Sequence, residues 1–255
     1  VMEHVDGGSL AELLERRQVA LEPEKVIDIG ISIAEALVEA ERYGIIHRDI
    51  KPANIMMTKD GVIKLADLGI AKQVRPIGGK KYATLTMDIV AMGTPIYMPP
   101  EQALDAKRCD IRADIYALGI TLYHLLTGRP PFTALDREEL FKQHLNDVAK
   151  PVSDLNPAAP LELDSIIYKC IMKKPEDRYQ SPKELLQDLR LLKLKQPLKF
   201  AQTPKPAKPG KPGKPDKQIR KKHSGLIVGL LIAATISVVH ENLSGRFLTI
   251  FNIKE

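Results

Sequence analysis

The stretch that decides the fold is IIHRDIKPANIM, residues 45–56. Residues 54–57 and 62–66 are mostly apolar and flank a Thr-Lys-Asp-Gly segment. This pattern predicts a β-hairpin whose turn is supplied by Asp60 and Gly61. Asp67, Leu68 and Gly69 follow the hairpin directly. The pattern therefore places a polar loop before the hairpin and a carboxylate after it.

Helical patterns surround this hairpin on both sides. Ser9 and Glu12 form a capping box that predicts a helix start, and Pro23 opens a second helix that continues to Gly44. Residues 68–100 lack any period and are predicted to be a long loop. Further helices are predicted over residues 110–127, 136–147, 161–173 and 182–195. The fold class is therefore α+β, mostly helical with a little sheet near the start.

Composition is ordinary for a globular protein. The chain has 255 residues, of which 44% are hydrophobic and 27% charged. Its two cysteines, Cys109 and Cys170, are far apart and lack the spacing of a metal site or a redox pair. These features favour a reduced, cytoplasmic globular part.

The net charge of +6 is concentrated in one segment. Residues 196–223 contain nine Lys or Arg and one acidic residue, so this segment carries +8 and the remainder −2. A nucleic-acid-binding domain would carry its basic residues on a folded face. We therefore expect no nucleic-acid partner.

The C-terminal part of the chain changes composition abruptly. Residues 199–224 form a Lys/Pro-rich linker, which is expected to be extended and solvated. Residues 225–240 form a largely apolar segment, of which the uncharged run 225–239 reaches roughly 22 Å as a helix, against a hydrocarbon core of ~30 Å. We predict a single transmembrane helix here, with a peripheral tail as the alternative, and a short tail over 241–255. The basic flank would lie on the cytoplasmic side, and the globular part with it.

The pattern HRDxKxxN, followed by Asp67-Leu68-Gly69, resembles the catalytic core of eukaryotic-like Ser/Thr protein kinases. The order of kinase-like part, basic linker and apolar segment is similar to that of bacterial receptor-type kinases. The resemblance implies a protein-kinase-like fold, with a mostly helical large lobe over residues 1–198. Within it the hinge is 1–8, the catalytic loop 45–56 and the activation segment 67–101.

The resemblance implies a role for each polar residue of the loop. Asp49 would orient the acceptor hydroxyl or take its proton, and Lys51 would place a cation at the γ-phosphate of ATP. Asn54 and Asp67 would be ligands of Mg²⁺. A Lys at position 51 also accompanies Ser/Thr acceptors in the family, so protein substrates with Ser or Thr are expected.

The chain begins at the resembled hinge. Met2 matches the gatekeeper, the backbone of Glu3 and Val5 would bind the adenine edge, and Met56 would form the floor beneath the ring. The phosphate-binding loop and strand Lys of the small lobe are missing from these residues. We therefore expect the 255 residues alone to bind ATP poorly.

Several residues are expected to support the site. The resemblance pairs Glu101 with Arg178 in a buried ion pair, and it gives Asp114 the task of tying down the backbone of the catalytic loop. His47 is expected to be structural. Thr94 would hydrogen-bond Asp49 and Lys51.

The sequence departs from the family pattern at two places, and it offers one regulatory site. Pro99 replaces an Ala and Leu68 replaces a Phe, both of which we expect the fold to tolerate. Arg48 would bind a phosphate on Thr84 or Thr86, which would order the activation segment.

Three functions are weighed. The first is a membrane-tethered Ser/Thr kinase, and the second is a pseudokinase or scaffold that binds partners through the same fold. In the third, the Lys/Pro segment is primary and binds anionic lipid or a proline-reading domain. The intact set of Asp49, Lys51, Asn54 and Asp67 favours the first. A homodimer is left open.

Overall fold

The computed structural model describes residues 5–17, 19–66, 95–105 and 109–202, with the side chains of residues 17 and 103–105 excepted. Within these ranges the chain forms seven α-helices and one two-stranded sheet. The elements are α1 (Leu10–Arg17), α2 (Pro23–Arg42), β1 (Ile55–Met57), β2 (Ile63–Leu65), α3 (Pro100–Asp105), α4 (Ile111–Thr127), α5 (Arg137–Asn146), α6 (Leu161–Cys170) and α7 (Pro182–Lys193). The predicted helix-rich fold with a small hairpin is confirmed.

The core lies around α4, which is buried along almost its whole length. Helix α2 packs on α4 and α7, while α6 packs on α4 from another side. The buried face of α2 carries Val26, Ile29, Ile33 and Leu37 at helical spacing. This single core holds the catalytic loop on a rigid base, because the loop follows directly from α2.

The helix boundaries follow from local capping. Ser9 Oγ accepts a hydrogen bond from the Glu12 amide at 3.2 Å, as the capping box predicts. Ser181 does the same for the amide of Glu184 at 3.4 Å. Helix α4 begins after Asp110, whose carboxylate accepts from the Arg112 amide at 2.9 Å. The predicted starts of these helices are confirmed.

The hairpin is antiparallel, with Ile55 opposite Leu65 and Met57 opposite Ile63. A third segment joins it, because the Met57 amide donates to the Gly8 carbonyl at 2.9 Å and Ser9 bridges to Met56. At Gly7 a Cβ would lie only 1.9 Å from the Met57 carbonyl oxygen, so no other residue fits this approach. The described part of the predicted hinge therefore lies directly on β1.

The observed bounds differ most from the sequence prediction at two places. The predicted loop over 68–100 contains a 3₁₀ turn at Pro95–Tyr97 and is followed by the short helix α3, while residues 67–94 lie outside the described residues. Helix α6 ends at Cys170 rather than at residue 173. The carbonyls of Met172 and Lys173 instead accept hydrogen bonds from Arg178, which competes with continuation of the helix.

No helix within the described ranges combines the length and apolar character needed to cross a membrane. The apolar segment 225–240, the Lys/Pro-rich stretch after Gln202 and the short tail lie outside those ranges.

Packing continues beyond residue 198, the predicted end of the lobe, through a buried carboxylate. Asp188 accepts the hydroxyl of Tyr179 at 2.9 Å and the amides of Lys199 and Ala201 at 2.8 and 2.7 Å. The amide of Phe200 donates to it as well, at 3.1 Å. Asp188 thus fixes the last described turn of the chain onto α7.

Replacing Asp188 with Asn is expected to lower the free energy of unfolding by about 2–4 kcal/mol, because hydrogen bonds to a buried charged acceptor are lost. Chemical denaturation monitored by circular dichroism measures this. Asp177→Asn, at an exposed residue of the same sign, is the matched control. Equal midpoints for the two variants would contradict the assigned role.

Candidate active site

The backbone of the catalytic loop is anchored to α4 by the buried carboxylate of Asp114. The two oxygens of Asp114 accept the backbone amides of His47 at 2.7 Å and Arg48 at 2.8 Å. Asp114 is fully buried, as is His47. The predicted role of Asp114 in tying down this backbone is confirmed. Arg48 has φ +65°, a left-handed conformation that a residue with a side chain adopts only when its surroundings hold it.

The His47 ring joins the loop to the end of the hairpin. Its Nδ1 lies 3.3 Å from the amide of Asp49, which donates to it, and its Nε2 lies 3.0 Å from the carbonyl of Ala66. The neutral tautomer with hydrogen on Nε2 satisfies both contacts. His47 is therefore structural, as predicted. Through Ala66 it also fixes the residue that immediately precedes Asp67.

Asp49, Lys51 and Asn54 lie together in the loop, as the resemblance to the kinase family implied. Lys51 Nζ lies 3.1 and 3.0 Å from the two carboxylate oxygens of Asp49. Asn54 Nδ2 donates to the Asp49 carboxylate at 2.9 Å and to its backbone carbonyl at 2.8 Å. The side chains of Lys51 and Asp49 remain 32% and 25% exposed, so the cluster is open to a ligand while its backbone is anchored.

The amide of Asn54 has a definite orientation. Because its nitrogen donates to Asp49 twice, its oxygen is the atom left to accept or to bind a cation. A neutral oxygen of this kind suits a hard divalent cation. Among the described residues no group of three or more His, Cys, Asp or Glu could hold a metal ion, and Asp67 lies outside them.

The predicted nucleotide-binding residues are placed only in part. Val5 and Met56 are both half-buried, and Met56 lies in β1 against Ser9. Met2 and Glu3 lie outside the described residues, as do Leu68, Thr84, Thr86 and Thr94.

A small cavity of about 30 Å³ lies beside Asp49 and Lys51. It is also lined by Arg48, Tyr97 and Gln102. Sequence reasoning missed the last two, since spacing carries no information about contacts between distant segments. The cavity joins the catalytic loop to the segment 95–102.

Tyr97 is held in this wall by α4. Its hydroxyl lies 2.7 Å from His124 Nδ1, and the two rings are stacked with centroids 6.1 Å apart. Burial raises the pKa of Tyr97 and lowers the pKa of His124. Both groups are therefore uncharged at neutral pH, and the tyrosine hydroxyl can donate to the imidazole.

The predicted pair of Glu101 and Arg178 is confirmed. Arg178 NH1 and NH2 lie 2.6 and 2.8 Å from the two Glu101 oxygens, in a bidentate pair. The remaining N–H groups donate to the carbonyls of Met172, Arg112 and Lys173. All five donors of a fully buried side chain are thus satisfied, and α3 is locked to the body of the fold.

The buried state of Asp114 predicts an acidic limit to activity. Burial raises the pKa of Asp114 from its ordinary value of 3.8 to about 6, while the two amide bonds from Arg48 and His47 oppose this rise. Above pH 6 the ionised carboxylate accepts both amides. As the pH falls through about 6, protonation removes acceptor capacity and kcat of the full-length protein is expected to fall.

The pH profile of Asp114→Asn provides the control, since it should be low throughout and lack this step. The free energy of unfolding depends on pH in the opposite direction to kcat, because burial raises the pKa of Asp114 in the folded state. The carboxyl's contribution to folding is complete below pH 4 and is lost as the pH rises through 6. A wild-type kcat that stays level down to pH 5 would contradict this account.

Comparison with known proteins agrees with this geometry. The family described as the protein kinase domain matches residues 1–189. The chain therefore belongs to the protein kinase family, as the sequence predicted.

Three of the similar proteins come from bacteria. A protein named "Probable serine/threonine-protein kinase" of Clostridium acetobutylicum is 41% identical over 193 residues, which cover 76% of this chain and 28% of that protein. One of the same name from Streptomyces coelicolor is 40% identical over 189 residues, covering 74% of this chain and 27% of that protein. Serine/threonine-protein kinase PknB of Mycolicibacterium smegmatis is 36% identical over 189 residues, covering 74% and 29%. The chain thus spans less than a third of the length of these relatives.

Proposed function

We propose that the protein carrying this chain transfers the γ-phosphate of ATP to Ser or Thr hydroxyls of protein substrates. The observation that carries the proposal is the convergence of Lys51 and Asn54 on the Asp49 carboxylate, in a loop suspended from the core. Phosphoryl transfer depends on positioning and on neutralisation of charge, and this cluster supplies both.

Asp49 is the residue that contacts the acceptor. Its carboxylate is partly exposed, and its two nitrogen neighbours hold it in one orientation. A carboxylate so placed accepts a hydrogen bond from the Ser or Thr hydroxyl and aligns that oxygen with the phosphorus atom. The proton passes from the hydroxyl to the Asp49 carboxylate as the hydroxyl oxygen bonds to the γ-phosphorus, and the bond between that phosphorus and the β,γ-bridging oxygen breaks to release ADP.

Lys51 shares the same opening. Its ammonium group contacts Asp49 at 3.0 Å, and its remaining exposure leaves room for a phosphate oxygen. A cation here offsets the negative charge on the transferred group. By its resemblance to the family, Lys51 also supports Ser and Thr, rather than Tyr, as acceptors.

Asn54 and Asp67 would hold Mg²⁺, for which the amide oxygen of Asn54 is a fitting ligand, since its nitrogen is the atom that donates to Asp49. When bound, the cation neutralises charge on the nucleotide phosphates.

The adenine would lie against Met56, with the backbone of Glu3 and Val5 at its edge and Met2 behind it. The contact of Gly8 with β1 supports this placement, because it holds the hinge segment at the Met56 strand.

The tethering of the protein is also part of the proposal. The apolar segment 225–240 would cross the membrane once, with the basic linker and the kinase part on the cytoplasmic side. Removing residues 225–240 from the full-length protein should release it from the membrane fraction while transfer to a soluble peptide continues. Retention of the shortened protein on membranes would contradict the tether.

The experiment that separates the kinase from a pseudokinase measures binding and transfer together. Full-length protein is titrated with a fluorescent ATP analogue and Mg²⁺, and is then assayed with γ-labelled ATP and Ser, Thr and Tyr forms of one acceptor peptide. The proposal predicts nucleotide binding with label on the Ser and Thr peptides. Nucleotide binding by a folded protein without transfer would favour the scaffold function.

A further inference from the structure

Two buried polar atoms beside the catalytic loop have no hydrogen-bond partner in the part of the chain that the structure describes. These atoms are Arg48 Nε and Gln102 Oε1. Both belong to residues that line the same cavity of about 30 Å³, next to Asp49. One is a donor and the other an acceptor, and buried polar atoms seldom remain unpaired. The cavity has room for about one water molecule.

Gln102 is also joined to the loop directly. Its Nε2 donates to the carbonyl of Arg48 at 3.3 Å. That carbonyl belongs to the peptide unit between Arg48 and Asp49, whose N–H donates to His47 Nδ1 at 3.3 Å. The peptide unit that carries the Asp49 Cα is therefore held at its oxygen by Gln102 and at its nitrogen by His47.

The position of Gln102 is itself fixed. It is 8% exposed and follows Glu101, which is locked to the buried Arg178. Asp114 holds the amide of Arg48 on the opposite side of the same residue. Arg48 is thus clamped at both its N–H and its C=O, which explains how it keeps its left-handed φ of +65°.

We infer that Gln102 is a positioning residue for Asp49, acting through the Arg48 carbonyl. This inference rests on the proposed kinase function. The amide of Gln102 donates to the Arg48 carbonyl and so holds the loop in its left-handed turn. The hydrogen bond from Gln102 to the Arg48 carbonyl therefore couples the end of the activation segment to the orientation of the Asp49 carboxylate.

The test replaces Gln102 with Met in the full-length protein, because Met preserves size and removes both polar atoms. Gln187→Met is the matched control, at an exposed residue of α7. We expect kcat to fall on the order of tenfold in Gln102→Met, since small displacements of a catalytic group are costly. The KM for ATP and the melting temperature should stay close to those of the control, because the change also removes an unpaired acceptor.

A second variant tests which atom matters. Gln102→Glu retains an oxygen acceptor but places a carboxylate against the Arg48 carbonyl, so kcat should fall as in the Met variant. Full activity in either variant overturns the inference, as does a loss of activity that merely follows a lowered melting temperature. An inactive wild-type protein would refute the proposed function and this inference together, whereas an active wild type with unaffected variants refutes the inference alone.

Discussion

Replacing Asp49 with Asn in the full-length protein is expected to lower kcat by about 10²–10⁴-fold, the range typical of a lost general base or hydroxyl-orienting carboxylate. The change keeps the size of the side chain, and the loop remains suspended from Asp114 by the amides of His47 and Arg48. The acceptor hydroxyl would then lose its negatively charged acceptor. Steady-state transfer from labelled ATP to a Ser peptide measures the effect.

The matched control is Asp60→Asn, at an exposed turn of the adjoining hairpin. This variant should retain wild-type kcat. Nucleotide binding should survive in both variants, because Asp49 contacts Lys51 and Asn54 within the catalytic loop and its proposed partner is the acceptor hydroxyl. A kcat for Asp49→Asn within about twofold of the control would show that Asp49 does not take part in the reaction, since the difference in activation free energy is then under about 1 kcal/mol.

Arg178→Met is expected to lower the free energy of unfolding by about 3–5 kcal/mol, the cost of leaving one partner of a buried pair uncompensated. The variant leaves the Glu101 carboxylate, whose side chain is only 18% exposed, without its cationic partner. It also removes the hydrogen-bond donors to three backbone carbonyls. It also removes the cation that lies 4.7 Å from the Tyr116 ring centroid. Urea denaturation gives the loss directly.

Arg190→Met is the control for this change, because Arg190 forms an exposed pair with Glu35 at 2.7 Å. Exposed pairs contribute about 0–1 kcal/mol, so a small effect is expected there. Similar losses for the two variants would show that burial of the Arg178 pair has no special consequence.

Much of the helical framework is predictable because its signals are local. The capping boxes at Ser9 and Ser181 each operate within one turn, and the structure places the expected hydrogen bonds there. The hairpin is likewise encoded by neighbouring residues, with Gly61 at φ +86° in the predicted turn. Local chemistry of this kind can be recognised in a single sequence.

The candidate site could be anticipated only in part. Asp49, Lys51 and Asn54 are separated by a few residues, so their convergence is a property of one loop. The anchors Asp114 and Arg178 come from distant segments and were expected only through resemblance to the kinase family. Residue type and spacing alone would not have paired Asp114 with the amides of His47 and Arg48.

Gln102, Tyr97 and Asp188 were missed for the same physical reason. Each contributes through contacts with segments remote in sequence: Gln102 with Arg48, Tyr97 with His124, and Asp188 with the chain after residue 198. Their residue types are common on protein surfaces, so nothing in the sequence marks them. Only the packed fold shows that Gln102 and Asp188 are buried.

The most direct measurement is phosphoamino-acid analysis of protein substrate incubated with the full-length protein, γ-labelled ATP and Mg²⁺. The account predicts label on phosphoserine and phosphothreonine, and its disappearance when Asp49→Asn replaces the wild type. Label confined to phosphotyrosine, or equal labelling by the wild type and Asp49→Asn, would contradict it.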